Sequence, residues 1–317
     1  VVDEVNLAYD DNAISFGKGY IIPKPLDPRL ITAVAPAVAK AAVRSGVAQL
    51  EIEDWKKYEQ QLDKRLGNDN DRKDLINYIK SKGLSLDYIQ HNSEHSTSTV
   101  EVVLDHKGLA SYTIKKPCAW DYIVLTNELI SIVKNSKAFL FGSLIARSKT
   151  SSNTLLKLLP FSRLSVFDIN LRPPNYNMIT IKALMSAADF IKFNDDELIE
   201  ISTSFGLQDK TIEQTILFVA SKTNTTSICV TLGSQGAILY FGQKFYHNTG
   251  YPVDVVDTVG AGDSFLATLI DALLKNSDPQ MALDRACAVG ALVAQNQGAN
   301  PKIYNTDIDS MLLKSNQ

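Results

Sequence analysis

Asp257-Thr258-Val259-Gly260-Ala261-Gly262-Asp263 sets three small residues in a row immediately before an apolar helical run that continues to Leu274. Small residues let the backbone approach a ligand closely. A helix start aims unpaired N–H groups and a positive dipole end outward, which suits an anion. A phosphoryl group in transfer is such an anion, and the amides of Gly260, Ala261 and Gly262 can serve it as an anion hole. Asp263 falls in the first helical turn, where its carboxylate can take a proton from an attacking hydroxyl. The alternative is structural: a glycine-rich loop followed by a carboxylate that complements the helix dipole. The stretch by itself leaves both open.

Outward from it, apolar runs of strand length alternate with helical patterns from about residue 71. Phe139–Ser143, Ser165–Ile169, Phe190–Phe193 and Ser227–Thr231 read as short buried strands, and a helix is expected from Asp195. Ala237–Phe241 and Lys244–Asn248 read as a β-meander, and Ala282–Gln295 as a final apolar helix. Leu75–Lys82 reads as a helix stopped by Gly83. Ser98–Leu104 and Ala110–Ile114 flank Asp105-His106-Lys107-Gly108, the composition of a hairpin turn. Strands alternating with helices imply a largely parallel sheet with helices on its faces.

Residues 1 to about 70 read differently. Ile21-Ile22-Pro23-Lys24-Pro25-Leu26-Asp27-Pro28 carries three prolines in six residues and is expected to be extended or turned. Ala33–Ala48 is alanine-rich and predicts a helix, with Pro36 in its first turn. Trp55, Tyr58, Leu62 and Leu66 are three or four apart, the spacing of a short amphipathic helix over Ile52–Leu66. The polar run Gly67–Asp71 marks the expected junction.

Bulk properties exclude several classes. The chain has 317 residues, 45% hydrophobic and 21% charged, the balance of an ordinary globular protein. With 32 basic and 35 acidic residues its formal charge is -3, so nothing favours a polyanion and nucleic acid is not an expected partner. No apolar run approaches the ~20 residues of a membrane helix, so no membrane partner is expected. The N-terminus has no basic start followed by an apolar run, so no signal peptide is expected. Cys118, Cys229 and Cys287 are far apart and lack CxxC spacing, which reads as core cysteines in a reducing cytoplasm. No G-x-G-x-x-G follows a strand, which disfavours a dehydrogenase.

Asp257–Asp263, with the Ser264-Phe265 that follows, resembles the C-terminal signature of the ribokinase or PfkB sugar-kinase family. Phe167-Asp168-Ile169-Asn170-Leu171-Arg172 resembles its F-D-x-N-x-R segment. Asn194-Asp195-Asp196-Glu197 matches its N-x-x-E element, and Thr231-Leu232-Gly233-Ser234-Gln235-Gly236 its T-x-G-x-x-G turn. Gln297-Gly298-Ala299-Asn300-Pro301 matches its C-terminal loop, and Ala119-Trp120-Asp121 resembles the fructokinase branch. The likeness runs from about residue 71 to 310. It implies a ribokinase-like three-layer α/β/α fold with a mostly parallel sheet and a small β lid near residues 98–116. It implies ATP and a sugar, most naturally fructose, as substrates. Asp263 becomes the base, and Gly260, Ala261 and Gly262 the anion hole. Asn194, Glu197, Thr231, Gly233, Gly236 and Gly298 fall on the nucleotide side, and Asp168, Asn170 and Arg172 on the substrate or phosphate side. Glu197 would organise Mg²⁺ through water, and Asp257 would border a monovalent-cation site for K⁺. The resemblance also allows a homodimer through the lid.

Residues 1 to about 67 resemble instead the C-terminal tail of bacterial malic enzymes. The matching text is Phe16-Gly17-Lys18-Gly19-Tyr20 through Arg29-Leu30, then Val34–Ala42, Asp54-Trp55 and Arg65-Leu66-Gly67. The expected organisation is therefore a helical segment over residues 1–70 and a sugar-kinase domain over 71–317. The family's first strand, with its substrate-binding Asp and a G-G-x-x-x-N element, has no match before Asp71. The expectation is a fold missing those N-terminal strands, with nucleotide binding retained and sugar turnover impaired. A non-catalytic nucleotide-binding remnant or interaction module is the alternative.

Overall fold

The computed structural model describes residues 29–45, 52, 54–56, 58, 70–104 and 110–314. The proline-rich stretch 21–28, most of the expected helix 52–66, the polar run 67–69 and the hairpin turn 105–108 lie outside the described residues. The chain divides into two compact units, Val1–Ile123 and Val124–Gln317.

In the first unit, α1 spans Arg29–Arg44 with Pro36 inside it. The sequence predicts a start four residues later, with Pro36 in the first turn. The helix instead accepts the loss of the one backbone hydrogen bond that a proline removes. Helix α2 (Asn70–Ser81) begins five residues before the expected Leu75 and is followed by Gly83, whose φ of +71° is open to glycine at no steric cost. Strands β1 (Val100–Leu104) and β2 (Ala110–Ile114) form the expected antiparallel hairpin, Val100 opposite Ile114.

The second unit holds the sheet. Its elements in order are α3 (Asn127–Asn135), β3 (Phe139–Gly142), α4 (Lys149–Leu158), β4 (Ser165–Asp168), α5 (Met178–Ser186), β5 (Phe190–Asn194), α6 (Asp195–Ser204) and α7 (Ile212–Thr223). There follow β6 (Ser227–Thr231), β7 (Ala237–Phe241), β8 (Lys244–Asn248), α8 (Ala261–Leu274), α9 (Pro279–Ala294) and α10 (Asn305–Lys314). Helices α3 to α7 all start the same way. Thr126, Ser148, Asn177, Asn194 and Thr211 each accept the N–H three residues on, which satisfies one of the donors a helix start leaves free.

Strand order is β3-β4-β5-β6-β7-β8. The first four run parallel, and β7 and β8 close the sheet antiparallel. Side chains alternate between faces. Phe167, Ile191, Phe193, Ile228 and Val230 pack with Leu155, Leu184, Leu198, Ile201 and Ile216 of α4 to α7. Val166, Phe190, Cys229 and Leu239 pack on the other face with Phe265, Leu269, Leu283 and Ala286 of α8 and α9. Two helical layers thus enclose the sheet, and each fully buried Phe, Ile or Leu contributes roughly 1.5–3 kcal/mol. Strand β4 lies between β3 and β5. Among the described residues no strand pairs with the outer edge of β3, and Leu140 on it is 46% exposed. No described helix is long and apolar enough to cross a membrane.

Candidate active site

The parallel strands end in a row of polar residues. Register sets Asp168 beside Lys192 and Lys192 beside Cys229; two residues on, Asn194 pairs with Thr231. Period two turns Asp168, Lys192, Asn194 and Thr231 toward the α8 face, because Val166, Phe190 and Cys229 already point there. The carboxyl ends of parallel strands are where open α/β sheets receive ligands.

Helix α8 begins above this row. Gly260 caps it with φ +82°, and a Cβ there would lie 2.4 Å from the Ala299 carbonyl oxygen. Only glycine serves, for conformation and for space alike. Asp263 stands in the first turn as expected. Asp257 ties this loop to the segment that follows α9: its Oδ1 accepts from the Val259 amide at 2.9 Å and its Oδ2 from the Gly298 amide at 3.0 Å. Those two donors, Val259 first, hold the Asp257 carboxyl below its ordinary range.

Lys192 escaped the sequence reading. It is 8% exposed, and its Nζ lies 3.2 Å from Asp168 Oδ1. That is an ion-pair distance, yet Oδ1 keeps no hydrogen-bond partner, so charge rather than an aligned donor holds the pair. A Cβ on Gly262 would meet the same Nζ at 3.4 Å, so the ammonium sits directly behind the glycine turn. Burial raises the Asp168 carboxyl to about 6; Lys192 works against that rise, and Glu197 and Asp263 add to it. The available signal was a lone charge inside the apolar run Phe190-Ile191-Lys192-Phe193.

Glu197 is 6% exposed. Its Oε2 accepts from the Asn194 amide at 2.9 Å, while Asn194 Oδ1 accepts from the Glu197 amide at 2.8 Å, a reciprocal capping box. Its Oε1 accepts from the Leu171 amide at 2.8 Å, which fastens the Asn170–Arg172 loop to the start of α6. Each carboxylate oxygen keeps a further lone pair. Asn170 has φ +40°, and its carbonyl accepts from Ser143 Oγ; Arg172 donates to its neighbour's carbonyl, Leu171 O. Thr231 Oγ1 donates to Phe193 O at 3.2 Å. Gly233 and Gly236 form the turn after β6 at φ +57° and +84°. The second unit thus brings Asp168, Lys192, Glu197 and the α8 start together. Asp257 and Gly298 form a pair of their own. Among the described residues no three His, Cys, Asp or Glu side chains converge on a metal position.

A family model described as pfkB family carbohydrate kinase matches residues 62–305. A fructokinase of Salmonella typhimurium is 26% identical over 249 residues, covering 73% of this chain and 78% of that protein. The crystal structure of fructokinase from Vibrio cholerae O395, bound to fructose, ADP and calcium, superposes with a TM-score of 0.66 at 22% identity. It covers 78% of this chain and 83% of its own, and at that identity the likeness shows the fold, which is the ribokinase-like fold expected. An NADP-dependent malic enzyme of Rhizobium meliloti (strain 1021) is 57% identical over 65 residues, 20% of this chain but 8% of that protein.

Proposed function

The chain belongs to the pfkB family of carbohydrate kinases, and we propose that it transfers the γ-phosphate of ATP to a sugar hydroxyl, with fructose as the acceptor. The observation that carries this reading is the placement of Asp263 in the first turn of α8, just after Gly260–Gly262 and in front of buried Lys192. Fructose rests on the names of the relatives, several of which are fructokinases.

Asp263 takes the proton from the attacking hydroxyl. The amides of Gly260, Ala261 and Gly262 receive the charge on the transferring phosphoryl group. Lys192 supplies a fixed cation behind those amides and offsets Asp168, so the acidic strand ends accept a polyanion. Asn194, Thr231, Gly233, Gly236 and Gly298 border the nucleotide, and Asn170 and Arg172 face the phosphate side. A hard divalent cation fits this donor set: the site offers Asp168 and Glu197 oxygens and, among the described residues, no all-protein cage, and Mg²⁺ keeps waters and substrate phosphates as ligands. When bound, Mg²⁺ supplies charge neutralisation between the phosphates. The Asp257–Gly298 pair borders the K⁺ position. The kinase domain is assigned to residues 71–317, and residues 1–70 form an attached segment.

A coupled assay of ADP release with fructose tests this reading. Turnover lost in Asp263→Asn supports it. Fructose-dependent turnover that survives Asp263→Asn removes the assigned base. A second reading, nucleotide binding without turnover, draws on the unpaired outer edge of β3 and the exposure of Leu140 among the described residues. It predicts Mg-ATP binding with no ADP release for any sugar. Self-association, through that edge or through the β1–β2 hairpin, would register in light scattering as a mass above one chain.

A further inference from the structure

The turn Gly233–Gly236 is not held by its own hydrogen bonds alone. Its last residue meets a second turn, Asn248–Gly250, where β8 ends opposite the start of β7. A Cβ on Gly236 would lie 2.0 Å from the Asn248 carbonyl oxygen, and a Cβ on Gly250 2.4 Å from that of Ser234. Backbone therefore rests on backbone, and whatever fixes residues 248–250 fixes the first turn.

Asn248 does that fixing with both ends of its amide. Its Oδ1 accepts from the Gly250 amide at 2.8 Å, and its Nδ2 donates to Asp284 Oδ1 on α9 at 2.8 Å. Gln280, one turn before Asp284, donates to the same Oδ1 and to His247 O, both at 2.8 Å. The other end of α9 is tied to the Asp257 loop: Ala294 O accepts from the Val256 and Asp257 amides at 2.8 and 3.2 Å. One helix thus ties down both segments, and its 16 residues span about 24 Å.

We propose that Asn248 is a positioning residue for the nucleotide side of the site, holding the Gly233–Gly236 turn to α9 through Asp284. This rests on the reading of that turn as nucleotide-binding. Asn248 touches no reacting atom, so its loss weakens nucleotide binding and leaves the transfer step alone.

The test is titration calorimetry of Mg-ATP into the full chain, with a swapped pair as control. Asn248→Asp sets two carboxylates against each other and is expected to weaken Mg-ATP by about tenfold, the worth of one or two part-buried hydrogen bonds. Asn248→Ala introduces no charge and is expected to act in the same direction. The double variant Asn248→Asp/Asp284→Asn restores the 248–284 bond with its polarity reversed. The new carboxylate at position 248 accepts from the Gly250 amide and from the new side-chain amide at position 284, while Gln280, which shared the same Oδ1, keeps its bond to His247 O. Its affinity is expected to return to within about threefold of wild type, a coupling that independent sites do not give. Under turnover the single variants raise the nucleotide KM and leave kcat unchanged, a split that general loosening of the fold does not produce. The inference is overturned if both single variants bind as wild type does, or if the swapped pair binds as weakly as Asn248→Asp. A folded wild type that gives no heat overturns the nucleotide-site reading and this inference with it.

Discussion

Replacing Glu197 should loosen the floor of the site by a measurable amount. The buried carboxylate accepts two backbone amides, Leu171 at 2.8 Å and Asn194 at 2.9 Å, and each is a charge-assisted bond. Such bonds contribute roughly 1.5–3 kcal/mol each, and a buried donor left without a partner costs about 1–3 kcal/mol. Glu197→Ala strands both amides and is expected to cost about 3–5 kcal/mol. Glu197→Gln keeps one acceptor but turns an –NH₂ toward the other amide, and is expected to cost about 2–3 kcal/mol. Urea unfolding followed by far-UV circular dichroism measures this. Tryptophan fluorescence does not, because Trp55 and Trp120 both precede residue 124 and so belong to the first unit. Hydrogen exchange at the Leu171 amide localises the loss, with protection expected to fall by about a hundredfold in Glu197→Ala. A cost under about 1 kcal/mol, with Leu171 exchange unchanged, refutes the reasoning.

Two further outcomes follow from the same geometry. Gly260→Ala forces a Cβ to 2.4 Å from Ala299 O at φ +82°, so a loss above about 3 kcal/mol is expected in urea; near-neutral unfolding contradicts the close approach. Asp168 titrates at about 6 in the fold against an ordinary 3.8, so its stabilising contribution is present below the lower value and is lost as pH rises through the upper one. From about pH 4 to 6.5, wild type should therefore lose about 2–3 kcal/mol relative to Asp168→Asn, and parallel stability curves contradict it.

The sheet was legible because its strands are short apolar runs bounded by polar residues. Phe190–Phe193 and Ser227–Thr231 stand where the pattern sets them, and the α8 start follows from Gly260-Ala261-Gly262. Ends in the second unit moved by one to three residues, whereas α1 and α2 begin four and five residues before their expected starts. Strand β4 stops at Asp168, whose successor Ile169 leaves the ladder while still donating to Lys192 O. Helix α9 begins at Pro279, because Asp278 caps it ahead of the apolar run. The site was legible as motifs but not as contacts. Leu171 and Glu197 are 26 residues apart, and Asp168 meets Lys192 only through the β4–β5 register. Asn194-x-x-Glu197 carries two meanings at once, a nucleotide element by resemblance and a capping box by spacing, and the capping box is made. Lys192 went unread because strand patterning asks only whether a run is apolar, whereas the informative feature was its one exception.

Calorimetric titration of Mg-ATP into the full chain tests the central claim most directly, that the α8 start and the strand ends behind it form a nucleotide-phosphate site. Saturable heat at one site per chain is predicted, retained in Asp263→Asn because the base acts on the acceptor hydroxyl. A folded sample that gives no heat contradicts the account.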